Sequence, residues 1–205
     1  MTIAEIVQCI MDGRGVPANV ALLQKDRRKA IAYLLSVLEG GRSLVQAEGV
    51  DGRDAHDNLA GALFQLGRED VGHLVALLRA ELQHNRMQPA FSLAWALAHL
   101  DDRAALDVMM TAVRHRDAYV RWAACIGLRR LHAEEARALL NAAAADRSSL
   151  VRSEAVEALE QQGDTSSLPV LTKRLHDRYP GIQLAARQAI SAIERRTASK
   201  QGGLS

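Results

Sequence analysis

Two stretches decide the fold of this chain: VRWAACIGLRRL at residues 120–131 and VRSEAVEALEQQ at residues 151–162. They begin 31 residues apart, and stretches of similar pattern begin one further period before and after them, at Pro89 and Ile182. A fifth stretch, residues 55–66, fits after a slip of three residues. A fixed period of this length is typical of proteins that stack one supersecondary unit after another.

Each stretch predicts an amphipathic helix, called here a B helix. If the first residue of a stretch is counted as +0, apolar or small residues recur at +0, +4, +7, +8 and usually +11. These positions lie on one side of a helix and predict one buried stripe. A second apolar series on the same period, Val108, Leu139 and Val170, predicts an A helix before each B helix. Two short helices cannot bury both stripes alone, so neighbouring pairs must stack.

Residues at the ends of the helices support this reading. Asp117 and Ser148 stand three residues before a B stretch, where a helix N-cap belongs. Pro169 suits the first turn of a helix. Gly67 and Gly163 are expected to end B helices in the left-handed conformation.

Composition favours an all-α chain and excludes several classes. The 205 residues are 48% hydrophobic, and 14 Gly with 4 Pro are too few for a turn-rich β protein. The net charge of +2 predicts no strong attraction to nucleic acid or to a membrane, and no apolar run reaches the roughly 18–20 residues that span a bilayer. The start of the chain does not resemble a secretory signal. Cys9 and Cys125 form neither a disulfide framework nor a CxxC pair, so a cytoplasmic location is expected.

The pattern Val-Arg-x-x-Ala-x-x-Ala/Gly-Leu, followed by a short turn and a Leu-Leu helix, resembles the short HEAT-like repeats of α-solenoids, also called phycocyanobilin-lyase-type HEAT repeats. The resemblance is clear over residues 103–194, fair over 54–100 and weak over 1–53. Two repeats depart from the Val-Arg pair, with Pro89-Ala90 and Ile182-Gln183. The resemblance implies an all-α, armadillo-like right-handed superhelix of about five to six helix pairs, whose B helices line a concave face.

The resemblance and the helix signals together divide the chain into three parts. We expect residues 1–53 to form an N-terminal helical cap or degenerate repeat, 54–194 the HEAT-like repeats, and 195–205 a disordered tail. Within the cap, a short helix over 3–12 ends at Gly13-Arg14-Gly15. Residues 17–39 form one helix, or two with a break near 24–28, and residues 42–53 form a short helix and a turn.

Catalytic motifs are absent from the sequence, which predicts a protein that is not an enzyme. It contains no GxSxG, no P-loop and no HExxH. None of the seven histidines pairs with another at i,i+4, and no metal or cofactor is expected. Some HEAT-type proteins bind di-iron through His-Glu dipeptides, and this chain contains none. Cys125 is expected to be an inert thiol rather than a nucleophile.

The B-helix ridge, positions +2, +6 and +9 opposite the buried stripe, predicts a contact surface for another protein. With Arg130 beside it, the predicted binding set is Phe64, Phe91, Trp95, Trp122, Ile126, Arg129, Arg130, Glu157 and Glu160. It includes both tryptophans and both phenylalanines of the chain. Aromatic and arginine side chains dominate binding hot spots.

Other readings of the ridge stay open. The N-terminal segment could cover the rings, the register of the Pro89 repeat could be shifted, or the surface could mediate self-association. Arg121 and Arg152, at +1, are expected to bond to the Asp-containing turns of neighbouring repeats rather than to a ligand.

Three functions fit the sequence. The first is a non-enzymatic scaffold that binds a partner protein as an adaptor, assembly factor or inhibitor. The second follows from resemblance to HEAT-like alkylpurine DNA glycosylases, in which Trp95, Trp122, Arg129 and Arg130 with Asp57 or Glu157 would form the site. The low net charge and the ridge glutamates argue against such DNA binding. The third, tetrapyrrole binding as in bilin lyases, rests on analogy of fold alone.

Overall fold

The computed structural model describes residues 1–39, 52–84, 87–100 and 102–202. Within those ranges the regular structure is helical and contains no strand, as the repeat pattern predicts. The chain divides into two compact units, unit 1 (Met1–Val108) and unit 2 (Met109–Ser205), and the boundary falls within one helix.

Unit 1 contains the helices α1 (Ile3–Met11), α2 (Val16–Leu23), α3 (Arg27–Glu39), α4 (Gly52–Gly67), α5 (Val71–His84), α6 (Met87–Ala98) and the start of α7 (Arg103–Ala112). A 3-10 turn over residues 24–26 separates α2 from α3, which confirms the two-helix reading of residues 17–39. α1 ends before Gly13 and Gly15, both of which have positive φ. Most of the helix and turn predicted at 42–53 lies outside the described residues, and α4 begins at Gly52.

The N-terminal helices belong to the core of unit 1. α1, α2 and α3 all pack against α4, and α3 also packs against α6. α4 and α6 pack side by side, as two successive B helices should, and the A helix α5 packs on α6. The interior is built from aliphatic side chains that are fully buried, among them Ile10, Leu34, Leu63, Leu78 and Leu97.

Unit 2 contains the rest of α7 and the helices α8 (Ala118–Leu128), α9 (Glu134–Ala143), α10 (Ser149–Gln162), α11 (Leu168–Arg174) and α12 (Pro180–Gly202). The B helix α10 packs between the B helices α8 and α12. The A helices α9 and α11 pack on the B helices that follow them, α10 and α12. The fold class is therefore all-α with α-solenoid repeats. α12 continues to Gly202, so residues 195–202 are helical and the predicted disordered tail is wrong there.

The buried stripe lies where the repeat pattern places it. In α10 the residues at +0, +4, +7 and +8 are fully buried: Val151, Ala155, Ala158 and Leu159. The +11 position holds Gln162, which is buried and donates from Nε2 to the Leu128 carbonyl of the preceding repeat at 2.8 Å. A polar residue is tolerated in this apolar position because its amide nitrogen is hydrogen-bonded.

The B helix α8 is buried more widely than one stripe predicts. In α8 Cys125 is fully buried, and Ile126 is only 9% exposed. Neighbouring helices cover several sides of α8, because α9 and α10 both pack against it. Burial raises the pKa of the Cys125 thiol, which keeps it protonated and unreactive, as expected for an inert thiol.

Two buried arginines link successive repeats through the same set of bonds. Arg121 donates from Nε and Nη2 to the two carboxylate oxygens of Asp146, both at 2.8 Å. Arg152, one period later, donates in the same way to Asp177, again at 2.8 Å. The Nη1 group of Arg121 also donates to the carbonyls of residues 115 and 116, and that of Arg152 to those of 146 and 147. The predicted bonding of these arginines to the turns of the next repeat is confirmed.

The series of arginine–aspartate pairs between successive repeats changes at both of its ends in unit 2. Gln183 takes the arginine position and donates from Nε2 to the Asp177 carbonyl at 2.7 Å. His115 takes the aspartate position, and its Nδ1 accepts from the Asp117 N–H at 3.2 Å. Asp146 and Asp177 accept the equivalent N–H groups two residues further on. His115 is therefore a neutral substitute for the turn aspartate.

His115 predicts a pH dependence of stability. Burial is the main influence that lowers the pKa of His115. The charges of Arg116 and Arg121 also lower this pKa, and the charge of Asp117 raises it. Protonation of Nδ1 removes the acceptor for the Asp117 N–H, a bond worth about 1 kcal/mol. Because the pKa is lower in the folded state, His115 contributes its full stabilisation above the unfolded-state pKa near 6.5. This contribution is lost as pH falls towards the folded-state pKa. Urea unfolding should show a free energy about 1 kcal/mol smaller at pH 5 than at pH 7.

The His115→Asn variant is the control for this dependence, because its amide oxygen accepts the Asp117 N–H at either pH. We expect its unfolding free energy to change less between pH 7 and pH 5 than that of the parent chain. Identical profiles for the two proteins would contradict the role assigned to His115.

Helix ends follow the sequence at the N-terminal side and depart from it at the C-terminal side. Asp117 caps α8 by accepting from the N–H groups of Tyr119 and Val120. Ser148 occupies the N-cap of α10, but its side chain makes no capping bond. Gly163 is extended, at φ −61° and ψ 155°, and Gly67 has no positive φ, so the predicted left-handed caps are wrong.

Close packing explains these two glycines instead. A Cβ on Gly67 would overlap the buried Leu74 side chain. A Cβ on Gly163 would meet the Leu159 carbonyl oxygen and lie 2.9 Å from Cδ1 of Ile193.

Candidate functional site

The predicted ridge has one part in each unit. In unit 1 it comprises Phe64 on α4 with Phe91 and Trp95 on α6, and all three rings are half-buried. Trp95 packs on His99, with 4.3 Å between ring centroids, and His99 Nδ1 lies 2.7 Å from the Trp95 carbonyl oxygen. The N-terminal helices that pack on α4 and α6 leave these rings partly exposed.

In unit 2 the ridge centres on Trp122, which is also half-buried. A carboxylate on the next B helix holds it, because the Trp122 side chain hydrogen-bonds to Glu154. The same carboxylate lies 3.0 Å from Nη1 of Arg129. Trp122 on α8 and Arg129 at its C-cap, about two helix turns apart, thus share a single partner on α10. A large aromatic ring held in place in this way loses little conformational freedom when it binds a partner.

Glu154 is the residue that sequence reasoning missed. It stands at +3, between the buried stripe and the ridge, and its side chain is buried. Burial is the main influence that raises the pKa of Glu154, with Glu157 acting in the same direction, whereas Arg129 and the bond from Trp122 lower it. The sequence offered one signal for Glu154. It is a charged residue on a mainly buried helix face, and the previous repeat carries a tryptophan and an arginine to which it can bond.

The other predicted ridge residues of unit 2 differ in exposure. Arg130 and Glu157 are exposed, and Glu160 is half-buried. Ser153 Oγ lies 3.3 Å from the Glu157 carboxylate, and Arg196 donates to the Glu160 carbonyl at 2.7 Å. The prediction that Ile126 belongs to the binding set is wrong, because its side chain is buried in the core.

An apolar residue extends this surface onto the last B helix. Leu184, at +2 of α12, is 56% exposed. α12 packs directly on α10, which carries Glu154 and Glu157. We call the set Trp122, Arg129, Arg130, Glu154, Glu157 and Leu184 the unit-2 ridge. It combines an aromatic ring, an exposed aliphatic chain and charges of both signs.

A second surface feature of unit 2 is lined by none of these residues. It is a groove of about 720 Å³ bordered by the last turn of α7 and by α9. Met110, Leu139 and Ala142 contribute apolar surface, while Arg121 and Asp146, which bond to each other, lie in its wall. The charges of Arg121 and Asp146 are therefore engaged within the fold.

Other kinds of site were sought in the described ranges. No group of three or more His, Cys, Asp or Glu side chains there is placed to hold a metal ion. None of the helices in those ranges combines the length and apolar character that crossing a bilayer requires.

Comparison with known proteins supports the repeat assignment. Residues 112–191 match the model of a family described as HEAT repeats. No curated protein matches the sequence. One similar solved structure is human deoxyhypusine hydroxylase in complex with glycerol, at 19% identity and a TM-score of 0.51, covering 94% of this chain and 84% of that one. Another is an engineered protein, at 17% identity and a TM-score of 0.51, covering 95% and 98%. At these identities the likeness concerns the fold alone.

Proposed function

Because this chain is a HEAT-like repeat protein, with its matched repeats at residues 112–191, we propose that it is a non-enzymatic scaffold that binds a partner protein on the unit-2 ridge. The observation that carries the proposal is the arrangement around Glu154. One buried carboxylate holds both a half-exposed tryptophan and an arginine. Tryptophan and arginine are the side chains most enriched in binding hot spots.

The charges of the unit-2 ridge favour a protein over nucleic acid. Glu157 is exposed about one helix turn from Glu154, and it would repel a phosphate backbone. A protein surface can present an arginine or lysine to Glu157 and a carboxylate to Arg130. The exposed Leu184 adds apolar area that a folded partner can cover.

The likeness to deoxyhypusine hydroxylase does not extend this proposal to catalysis. That protein is an enzyme by name, but the sequence of this chain contains no His-Glu dipeptide, the motif expected of di-iron repeats. Iron bound in stoichiometric amount to the purified chain would contradict a purely scaffolding role. The expected cytoplasmic location stays a prediction, as does the choice between adaptor, assembly factor and inhibitor.

Affinity capture with matched variants tests the proposal. We expect Trp122→Ala to weaken binding of the captured partner by about thirtyfold or more, the effect of losing one hot-spot side chain. Tyr33→Ala is the control, because Tyr33 is an exposed ring on α3 of unit 1. Circular dichroism should show equal helicity for both variants. Equal retention of every partner by Trp122→Ala and Tyr33→Ala would contradict the proposal.

A further inference from the structure

The turns that lead into the B helices of unit 2 carry an arginine at the same repeat position. Arg116, Arg147 and Arg178 are spaced by the 31-residue period, and each lies within two residues of the start of a B helix. All three side chains are exposed. We call these three residues the turn edge.

Hydrogen bonds show that the three turns are neighbours. Arg147 donates from Nη2 to the Arg116 carbonyl at 3.0 Å, across one repeat. Arg152 donates to the Arg147 carbonyl at 3.2 Å, and its guanidinium pairs with Asp177, which directly precedes Arg178. Packed helices lie roughly 8–10 Å apart, so the turn edge presents successive positive charges at about that spacing.

The carboxylates of these turns are committed to the fold. Asp146 and Asp177 each accept two bonds from a buried arginine, and Asp117 accepts the first N–H groups of α8. Charge is also distributed unevenly along the chain. Residues 109–205 contain 15 basic and 10 acidic residues, whereas residues 1–108 contain 11 and 14. The turn edge is therefore an outward-facing positive edge on the basic half of the chain.

We propose that the turn edge binds an extended acidic segment of another protein, with carboxylates at every third residue. A polyproline II segment rises about 3.1 Å per residue, so every third side chain recurs after about 9.3 Å and matches the spacing of the repeats. An arginine guanidinium group can bind a carboxylate through two parallel hydrogen bonds. Tyr119, in the first turn of α8, and Tyr179, which directly precedes α12, are 59% and 47% exposed and offer flat surfaces on which intervening prolines can pack.

Nucleic acid fits the turn edge less well. Proteins that bind DNA through its backbone make roughly 6–10 phosphate contacts, and the turn edge supplies three guanidinium groups. Three guanidinium groups are enough to pair with the carboxylates of a short acidic peptide. The turn edge shares no residue with the unit-2 ridge, so this inference and the proposed function can be tested independently of each other.

Fluorescence anisotropy at low salt tests the inference, with the full chain and a labelled peptide of repeated Glu-Pro-Pro triplets. We expect the double variant Arg147→Gln/Arg178→Gln to weaken binding about tenfold. The control Arg187→Gln/Arg195→Gln removes the same charge from two exposed sites on α12 and should change the affinity less than about twofold. The matching peptide of Gln-Pro-Pro triplets should bind much more weakly than the acidic one.

Four results would overturn the inference: no binding of the acidic peptide, equal weakening by both double variants, equal affinity for the two peptides, or tighter binding of an oligothymidine that depends on the same two arginines. The last result would assign the turn edge to single-stranded nucleic acid. Circular dichroism of the variants, with unchanged helicity, excludes unfolding as the cause of any loss.

Discussion

Replacing Asp177 with asparagine should lower the free energy of unfolding by about 3 kcal/mol, because it leaves a buried arginine without its counter-charge. Asp177 accepts from Nε and Nη2 of Arg152 and from Nη1 of Arg174. The amide that replaces the carboxylate would turn an N–H group towards one of these donors. The hydrogen bond from Arg152 is the main influence that lowers the pKa of Asp177, so the pair also strengthens the fold at neutral pH relative to strong acid.

Urea denaturation followed by circular dichroism measures this loss. Asp146→Asn breaks the equivalent pair with Arg121 and should produce a loss of similar size. Asp164→Asn is the control, because the Arg137–Asp164 pair is partly exposed and worth less than about 1 kcal/mol. If Asp177→Asn and Asp164→Asn cost the same, the buried pairs do not hold the repeats together as described.

Replacing Gly163 with alanine should cost about 2 kcal/mol, the typical effect of forcing a methyl group into packed surroundings. The backbone of Gly163 is extended and allows any residue, so conformational strain is not the cause. The added Cβ would overlap the Leu159 carbonyl oxygen and press on Ile193 of α12. The carbonyl cannot move away freely, because it accepts the Gly163 N–H at 2.7 Å.

Gly181→Ala is the matched control for this substitution. Gly181 lies in the first turn of α12, and nothing comes within 4 Å of a Cβ built there. Alanine should therefore stabilise the chain by about 0.5 kcal/mol through helix propensity alone. The packing account of Gly163 fails if Gly163→Ala and Gly181→Ala shift the urea midpoint in the same direction.

The repeats could be predicted because their sequence carries both the packing stripe and its polar links. Val151 and Arg152 repeat Val120 and Arg121 after one period, and the same period relates Asp177 to Asp146. A period of apolar residues fixes which helix face is buried, and an arginine at the start of that face can reach the next turn. Gln183 keeps one bond of the series, which explains why the last repeat folds alike without the arginine.

Features that depend on three-dimensional contacts escaped the sequence. Ile126 lies on the ridge by helical periodicity, but it is buried in the folded chain, where both α9 and α10 pack against α8. Gly163 resembles a left-handed cap in sequence, yet it is glycine because a Cβ there would overlap the Leu159 carbonyl oxygen and press on Ile193. Glu154 was missed because its partners, Trp122 and Arg129, belong to the preceding repeat.

Photocrosslinking tests most directly whether the unit-2 ridge is the partner surface. The residue p-benzoylphenylalanine is placed at Glu157, exposed on the ridge, or at Ala138, exposed in the groove between α7 and α9. We expect irradiation to join the partner to the chain from position 157 and not from 138, and the adduct to disappear when Trp122→Ala is added. Adducts from 138 alone, or adducts from 157 that survive Trp122→Ala, would contradict the assignment of the ridge.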